Sequence, residues 1–305
     1  MSKVLIYHKV EEKDVSYLRR KFPDYDIVAC TDKAEMEKHI KDAEVLISFR
    51  CTSEMLNKAE KMKWIQALSA GVDAFPKDEI REKGLIFTNG RGIHKIHMAE
   101  YAIGVMVILA RNFHVMFRNQ IKGKWDGKIP QSGIQDKTLG ILGLGSIGQE
   151  IAKKASLMGM KVIGVRNSEQ GVENVEKVYL PKDMIEVFKN SDYIINLLPS
   201  TEDTFKSINK TYFDNMKEDA CFINIGRGTT VDEEDMIQAL QAGSIKAAAL
   251  DVFFTEPLPE DSPLWTMENV IITPHICGVS DRYIERALPI IENNLRAFSG
   301  EGDFI

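Results

Sequence analysis

Three short segments carry side chains that together suit one piece of chemistry. N-I-G-R-G (Asn224–Gly228) sets Arg227 on a turn after an apolar run. L-D-V-F-F-T-E-P-L-P (Leu250–Pro259) carries Glu256, and I-T-P-H-I-C-G (Ile272–Gly278) carries His275. Taken singly, each has an ordinary reading: a surface arginine paired with an acid, a turn residue before proline, a capped or buried structural histidine. Taken together they suit reduction of a 2-keto acid. A guanidinium holds the carboxylate and polarises the ketone. An imidazolium protonates the developing alkoxide, and a carboxylate beside it fixes the ring and favours its charged form. The hydride has to come from a cofactor.

A place for that cofactor is legible upstream. Residues 139–148 read L-G-I-L-G-L-G-S-I-G, a short apolar strand running into G-x-G-x-x-G and then an amphipathic helix, Ser146–Met158. Gly143 permits the tight turn, Gly145 lets backbone N–H groups reach a pyrophosphate, and Gly148 brings the helix close to the strand. Ser146 and Ile147 open that helix and belong to the same expected contact set. NAD-binding units carry an acid about twenty positions further on, at the ribose 2′-hydroxyl. Here the next strand ends V-I-G-V-R-N-S, which puts Arg166 in that place. A guanidinium pairs with a 2′-phosphate, and Asn167 and Ser168 add neutral donors. NADP(H) is therefore the expected cofactor. Glu169, close by, keeps NAD(H) open.

The elements that must position these groups alternate from the first residue, the signature of parallel α/β sheets. Strands are expected at Val4–Tyr7, Asp26–Ala29, Glu44–Ser48, Trp64–Ala67 and Leu85–Thr88, with helical stretches such as Glu35–Lys41 and Ser53–Lys61 between them. A long helix from about His97 to Phe117 leads into a polar linker or arm, Asn119–Asp136. A second series places strands at Leu139–Leu142, Lys161–Val165, Tyr193–Leu197, Cys221–Ile225, Ala247–Leu250 and Val270–Ile272. Thr230 and Glu233 read as a capping box, and Ser280 as the N-cap of a final helix that packs back on the first unit. With 305 residues, two doubly wound units fit better than one.

Composition excludes several partners. A net charge of −6 with no Lys/Arg stripe argues against nucleic acid. The apolar run Tyr101–Ala110 is about half a membrane span. The opening MSKVLIYHKVEEKD turns charged too soon for a signal peptide. Cys30, Cys51, Cys221 and Cys277 form no CxxC pair, which fits a reducing cytoplasm and neither a zinc knuckle nor a disulfide framework. No metal is expected, and His8, His39, His97 and His114 read as structural. Trp64, Trp125 and Trp265 read as core or interface.

An ordered series of segments resembles the D-isomer-specific 2-hydroxyacid dehydrogenase family over nearly the whole chain. The segments are L-S-A-G-V-D (Leu68–Asp73), M-A-E-Y (Met98–Tyr101), G-L-G-S-I-G, L-L-P-S-T (Leu197–Thr201), I-N-I-G-R-G, D-V-F…E-P-L and T-P-H. The resemblance implies a Rossmann dinucleotide-binding domain, 98–279, inserted into a smaller flavodoxin-like substrate domain, 1–97 plus 280–305. It gives Arg227 the substrate carboxylate and carbonyl, His275 the acid/base role and Glu256 the role of its partner. Backbone N–H groups of Ala70, Gly71 and Val72 would help hold the carboxylate. Asp251 resembles the residue that meets the nicotinamide amide, Pro199 the wall near the adenine, and Ile225 is a further cofactor contact.

Within the family the likeness is nearer to glyoxylate/hydroxypyruvate reductases, which act on small 2-keto acids, often with NADPH, and are commonly homodimers. Glu256 sets the chain apart from formate dehydrogenases, and its early end implies no extra regulatory domain. A dehydrogenase for a bulkier 2-keto acid, or a dinucleotide-sensing corepressor, are the alternatives. N-G-R-G-I-H (Asn89–His94) departs from the common pattern, leaving Arg91 and His94, with Arg50, as candidate cleft residues.

Overall fold

A computed structural model describes residues 1–72 and 75–305. The chain divides into two units, Met1–Ile93 with Ser280–Ile305, and His94–Val279. The first runs β1 (Ser2–Tyr7), α1 (Glu12–Lys21), β2 (Tyr25–Cys30), α2 (Lys33–Ile40), β3 (Val45–Ser48), α3 (Ser53–Lys58), β4 (Trp64–Ala67), α4 (Lys77–Glu82) and β5 (Ile86–Thr88). The second begins with α5 (Lys95–Ala110), α6 (Phe113–Ile121), β6 (Thr138–Leu142), α7 (Ser146–Leu157), β7 (Lys161–Val165) and β8 (Lys177–Tyr179). It continues with α8 (Ile185–Asn190), β9 (Tyr193–Asn196), α9 (Lys210–Phe213), β10 (Cys221–Asn224), α10 (Glu233–Ala242), β11 (Ala247–Leu250) and β12 (Val270–Ile272). The last helix, α11 (Tyr283–Phe298), returns to the first unit.

Both sheets are parallel and doubly wound. The first has the order β2-β1-β3-β4-β5, the flavodoxin-like arrangement. The second has the order β12-β11-β10-β9-β6-β7-β8, the Rossmann arrangement with one strand added beyond the sixth. Strands β3, β4, β9, β10 and β11 are buried along their whole length, because helices cover both faces. That is why they read as unbroken apolar runs rather than as alternating ones. In the first unit α11 sets Ala287, Ile291 and Leu295, spaced four apart, against Val4, Leu18 and Trp64. Each large aliphatic buried this way stabilises by about 1.5–3 kcal/mol. A buried polar link orients the same helix: Asn294 donates to Gln66 at 2.7 Å, and Gln66 accepts from Thr88 at 2.7 Å.

Several sequence expectations need correction. The first domain boundary falls at Ile93/His94, four residues before the expected 97/98, because α5 starts at Lys95 and joins the second unit whole. The expected long helix is two, α5 and α6, bent by 70°. Asn112 breaks it at φ 51, a left-handed conformation that asparagine tolerates better than most side chains. Helix α6 then runs to Ile121, inside the segment read as a linker. The capping box is absent: Asp232 caps α10 by accepting from Asp235 N, while Thr230 turns inward. Ser280 does not cap α11, whose N-cap is Arg282; its hydroxyl accepts from Arg282 N instead. Strand β8 went unread because three residues, K-V-Y, leave no period to detect; pairing with β7 defines it. Among the described residues no single helix is long and apolar enough to cross a membrane.

Candidate active site

The turn between β6 and α7 is shaped by close backbone approach. Gly143 sits at φ +108, which a side chain would strain, and its N–H bonds Val165 O on β7. A Cβ on Gly148 would lie 2.3 Å from Gly143 O, so only glycine lets α7 start this near the strand. A Cβ on Gly145 would meet nothing within 4 Å, which leaves open space over the first turn of α7. No side chain caps that helix, so the N–H groups around Ser146 and Ile147 keep their hydrogen-bonding capacity and the helix its positive end. These are the requirements of a pyrophosphate, and the residues fit one. Arg166 follows β7, the next strand in the sheet, half-buried with its N–H on Tyr179 O. Asn167, Ser168 and Glu169 are exposed beside it, and Pro199 is exposed after β9.

Arg227 is held from beneath by a buried polar network. Asn196 ends β9 and Asn224 ends β10; Asn196 donates to Asn224 Oδ1 at 3.0 Å and to Thr230 Oγ1 at 2.8 Å. Thr230 in turn donates to Arg227 O at 2.7 Å. A Cβ on Gly228 would overlap Phe253 O at 1.9 Å, so the turn packs directly on the β11–β12 connection. The guanidinium donates to Gly226 O at 2.8 Å. Sequence reasoning gave Asn196 and Asn224 no part in the site and read Thr230 as a helix cap. The available signal was a polar residue closing an otherwise apolar strand, since a buried amide must find partners.

The structure brings Glu256 and His275 together. His275 Nδ1 lies 2.7 Å from Glu256 Oε2, and Glu256 Oε1 accepts from Phe253 N at 3.0 Å. With Nδ1–H on the carboxylate, the tautomer is fixed and Nε2 is the nitrogen left for a reacting oxygen. The imidazole is half-exposed, with a side-chain relative exposure of 50%. Glu233, read from sequence as part of a cap, braces this loop by accepting from Phe254 N.

Asp251 is engaged by the neighbouring loop. It is 0% exposed, and its carboxylate accepts from Thr273 Oγ1 at 2.5 Å and from the N–H groups of Ile276 and Cys277, each at 2.9 Å. Its own carbonyl accepts from His275 N at 2.8 Å. Asp251 therefore organises the T-P-H loop. Ile225 is likewise buried, at 2% exposure in the core beneath the Arg227 turn, so its side chain packs inward.

Ala70, Gly71 and Val72 lie in the first unit, on the loop after β4. Ser69 Oγ donates to Gly71 O at 2.6 Å and Asn89 donates to Ala70 O at 3.3 Å, which shape the loop. Asp73, the last residue of the L-S-A-G-V-D segment, lies outside the described residues. Arg50 is exposed and lines a pocket of the first unit with Tyr7, Thr52 and Met55. Arg91 is exposed at the end of the same unit. His94 belongs to the second unit, where burial, helped by His97 and Arg227, pushes it down to about 4. It is thus a neutral ring at ordinary pH. Trp64 is core, whereas Trp125 and Trp265 are exposed.

Residues 103–277 match the model of the D-isomer specific 2-hydroxyacid dehydrogenase NAD binding domain. The chain is 36% identical over 281 residues to D-3-phosphoglycerate dehydrogenase of Methanocaldococcus jannaschii, covering 90% of this chain but only 53% of that protein. It spans about half the length of that relative. Against hydroxypyruvate reductase of Thermotoga maritima it is 34% identical over 267 residues, covering 85% of each. The crystal structure of an NADPH-dependent glyoxylate/hydroxypyruvate reductase of Sinorhizobium meliloti, in complex with NADP and sulfate, superposes with a TM-score of 0.82. That protein is 27% identical, with 99% of this chain and 96% of the other covered.

Proposed function

The chain belongs to the D-isomer specific 2-hydroxyacid dehydrogenase family, and from that premise we propose that it reversibly reduces small 2-keto acids to D-2-hydroxy acids, as glyoxylate and hydroxypyruvate reductases do. The observation that carries the reading is the 2.7 Å pairing of His275 with Glu256, in the same unit as the Arg227 turn. The turn after β6 would hold the pyrophosphate of a nicotinamide dinucleotide, and Arg166 its 2′-phosphate, making NADP(H) the preferred form and NAD(H) the weaker one. When bound, that nucleotide supplies or accepts the hydride.

Arg227 binds the substrate carboxylate through two N–H groups and draws electron density from the carbonyl. His275 delivers the Nε2 proton to the oxygen as negative charge develops there, and takes it back in the oxidative direction. Glu256 keeps Nδ1 protonated and stabilises the imidazolium.

We also propose that the protein works as a homodimer in the cytoplasm. The support is the apolar surface of α6 and its continuation, where Phe117, Ile121 and Trp125 are exposed, together with four free cysteines. Light scattering in solution tests the dimer. The activity is tested by offering glyoxylate, hydroxypyruvate and larger 2-keto acids with NADPH and then NADH. Oxidation of NADPH with formation of the D-acid is expected. Tight NADPH binding with no turnover on any acid would favour a dinucleotide sensor, and faster turnover with NADH would overturn the role given to Arg166.

A further inference from the structure

We propose that His97 and Tyr101, one turn apart on α5, are positioning residues that clamp the two ends of the loop carrying His275. The inference rests on the acid/base role given to His275 above. That loop, residues 273–278, holds His275 at φ 54, in the left-handed region a side chain with a Cβ seldom occupies. Such a conformation persists only where the surroundings impose it. Asp251 imposes part of it from below, through Thr273, Ile276 and Cys277.

The rest comes from α5, and the direction of each bond can be deduced. A carboxylate only accepts, so the Thr273 hydroxyl must donate to Asp251. That uses its single proton. Across the 2.7 Å between Tyr101 Oη and Thr273 Oγ1 the phenol is therefore the donor. Burial pushes the Tyr101 phenol up to about 12, so it keeps that proton. The result is a one-way chain from Tyr101 through Thr273 to Asp251, in which each bond polarises the next.

At the other end of the loop His97 Nε2 lies 2.7 Å from Gly278 O. A carbonyl only accepts, so Nε2 carries the proton and donates. His97 and Tyr101 are four residues apart and share one face of the helix. The helix is a firm mount, because Met98, Ala102 and Met106 pack in the same core as Ile151 and Ala155 of α7. Thus one helical face fixes Thr273 and Gly278, with His275 between them.

The test compares NADPH titration and steady-state kinetics of the full chain, using the 2-keto acid that the wild type turns over fastest. Tyr101→Phe and Thr273→Val should each lower kcat by roughly 10–100-fold, the loss expected when an acid is misplaced by about an ångström. KM and NADPH affinity should hold. Thr273→Ser, which keeps the hydroxyl, should restore kcat. The double variant should lose no more than the worse single one, since both break one chain. His97→Ala should also lower kcat, and His97→Gln, which keeps a donor, should recover part of it.

Wild-type kcat in Tyr101→Phe would overturn the proposal, as would a parallel fall of kcat, NADPH affinity and melting temperature in Thr273→Ser. The imidazole resonances of His275 in the NADPH-free protein give a readout independent of turnover. They should move in Tyr101→Phe, and their staying in place would overturn the clamp. A wild type that reduces no 2-keto acid counts against the activity alone, and the resonances then decide the clamp.

Discussion

The turn after β6 presents backbone, whereas the turns after β10, β11 and β12 present side chains. In the first, glycine supplies everything: a positive φ at Gly143, open space at Gly145, and a 2.3 Å approach at Gly148 that no Cβ survives. In the second, Arg227, Glu256 and His275 come from three separate segments, and Arg227 and His275 lean on buried polar residues. Asn196, Asn224 and Thr230 stand under Arg227, and Asp251 stands under His275. Binding a common phosphate group takes a local motif. Placing an acid and a cation for one reaction takes a framework spread over half the sheet.

The comparison implies that the two ends can be broken apart. The largest effect should come from Arg227→Ala, which removes both the carboxylate partner and the carbonyl polarisation. A fall in kcat/KM of about a thousandfold or more is expected, with NADPH affinity unchanged in a fluorescence titration. Loss of NADPH binding in this variant would show that the ends are not separable.

The converse break is Gly148→Ala. Its methyl group would collide with Gly143 O, so α7 must shift and the pyrophosphate hold loosen. NADPH affinity should fall by about a hundredfold, with overpacking also costing about 1–3 kcal/mol in a denaturant melt. Arg166→Ala is milder. Losing one charge-assisted contact to a 2′-phosphate should weaken NADPH by about tenfold and leave NADH nearly unaffected. An equal loss for both cofactors would remove the 2′-phosphate role.

A smaller effect is expected from pH. His94 is held at about 4, against its usual 6.5, mainly by burial. Below about pH 6.5 the unfolded chain takes up a proton that the folded chain refuses until about 4. Stability from this ring is therefore full above that window and is lost as pH falls through it. Melting temperature should drop between about pH 7 and 5, and His94→Gln should flatten the drop. Equal slopes in the two proteins would contradict the burial of a neutral ring. His8 and His114, also lowered by burial, contribute in the same direction in both proteins.

What the sequence made legible follows the same division. Parallel strands buried on both faces write themselves as V-L-I-S, Y-I-I-N or A-A-A-L, so both sheets could be read almost strand by strand. The glycine turn was legible because its geometry demands glycine at Gly143 and Gly148. Arg227, Glu256 and His275 could be singled out by their chemistry, but no spacing rule joins positions so far apart, and an ordered likeness to a family was what gave them their roles. Asp251 shows what likeness leaves out: it gives no sign that the carboxylate accepts from three donors of the neighbouring loop. The break at Asn112 and the cap at Asp232 were missed for a local reason. Helical periodicity continues through a single left-handed residue, and two adjacent candidates compete for one cap.

The most direct test of the central claim, that chemistry and dinucleotide binding reside in separate turns of one sheet, is His275→Ala measured for both properties in one preparation. The expected result is a fall in kcat of about a hundredfold to ten-thousandfold, with the NADPH dissociation constant unchanged. Near-normal turnover, or a loss of NADPH binding in step with turnover, would contradict it.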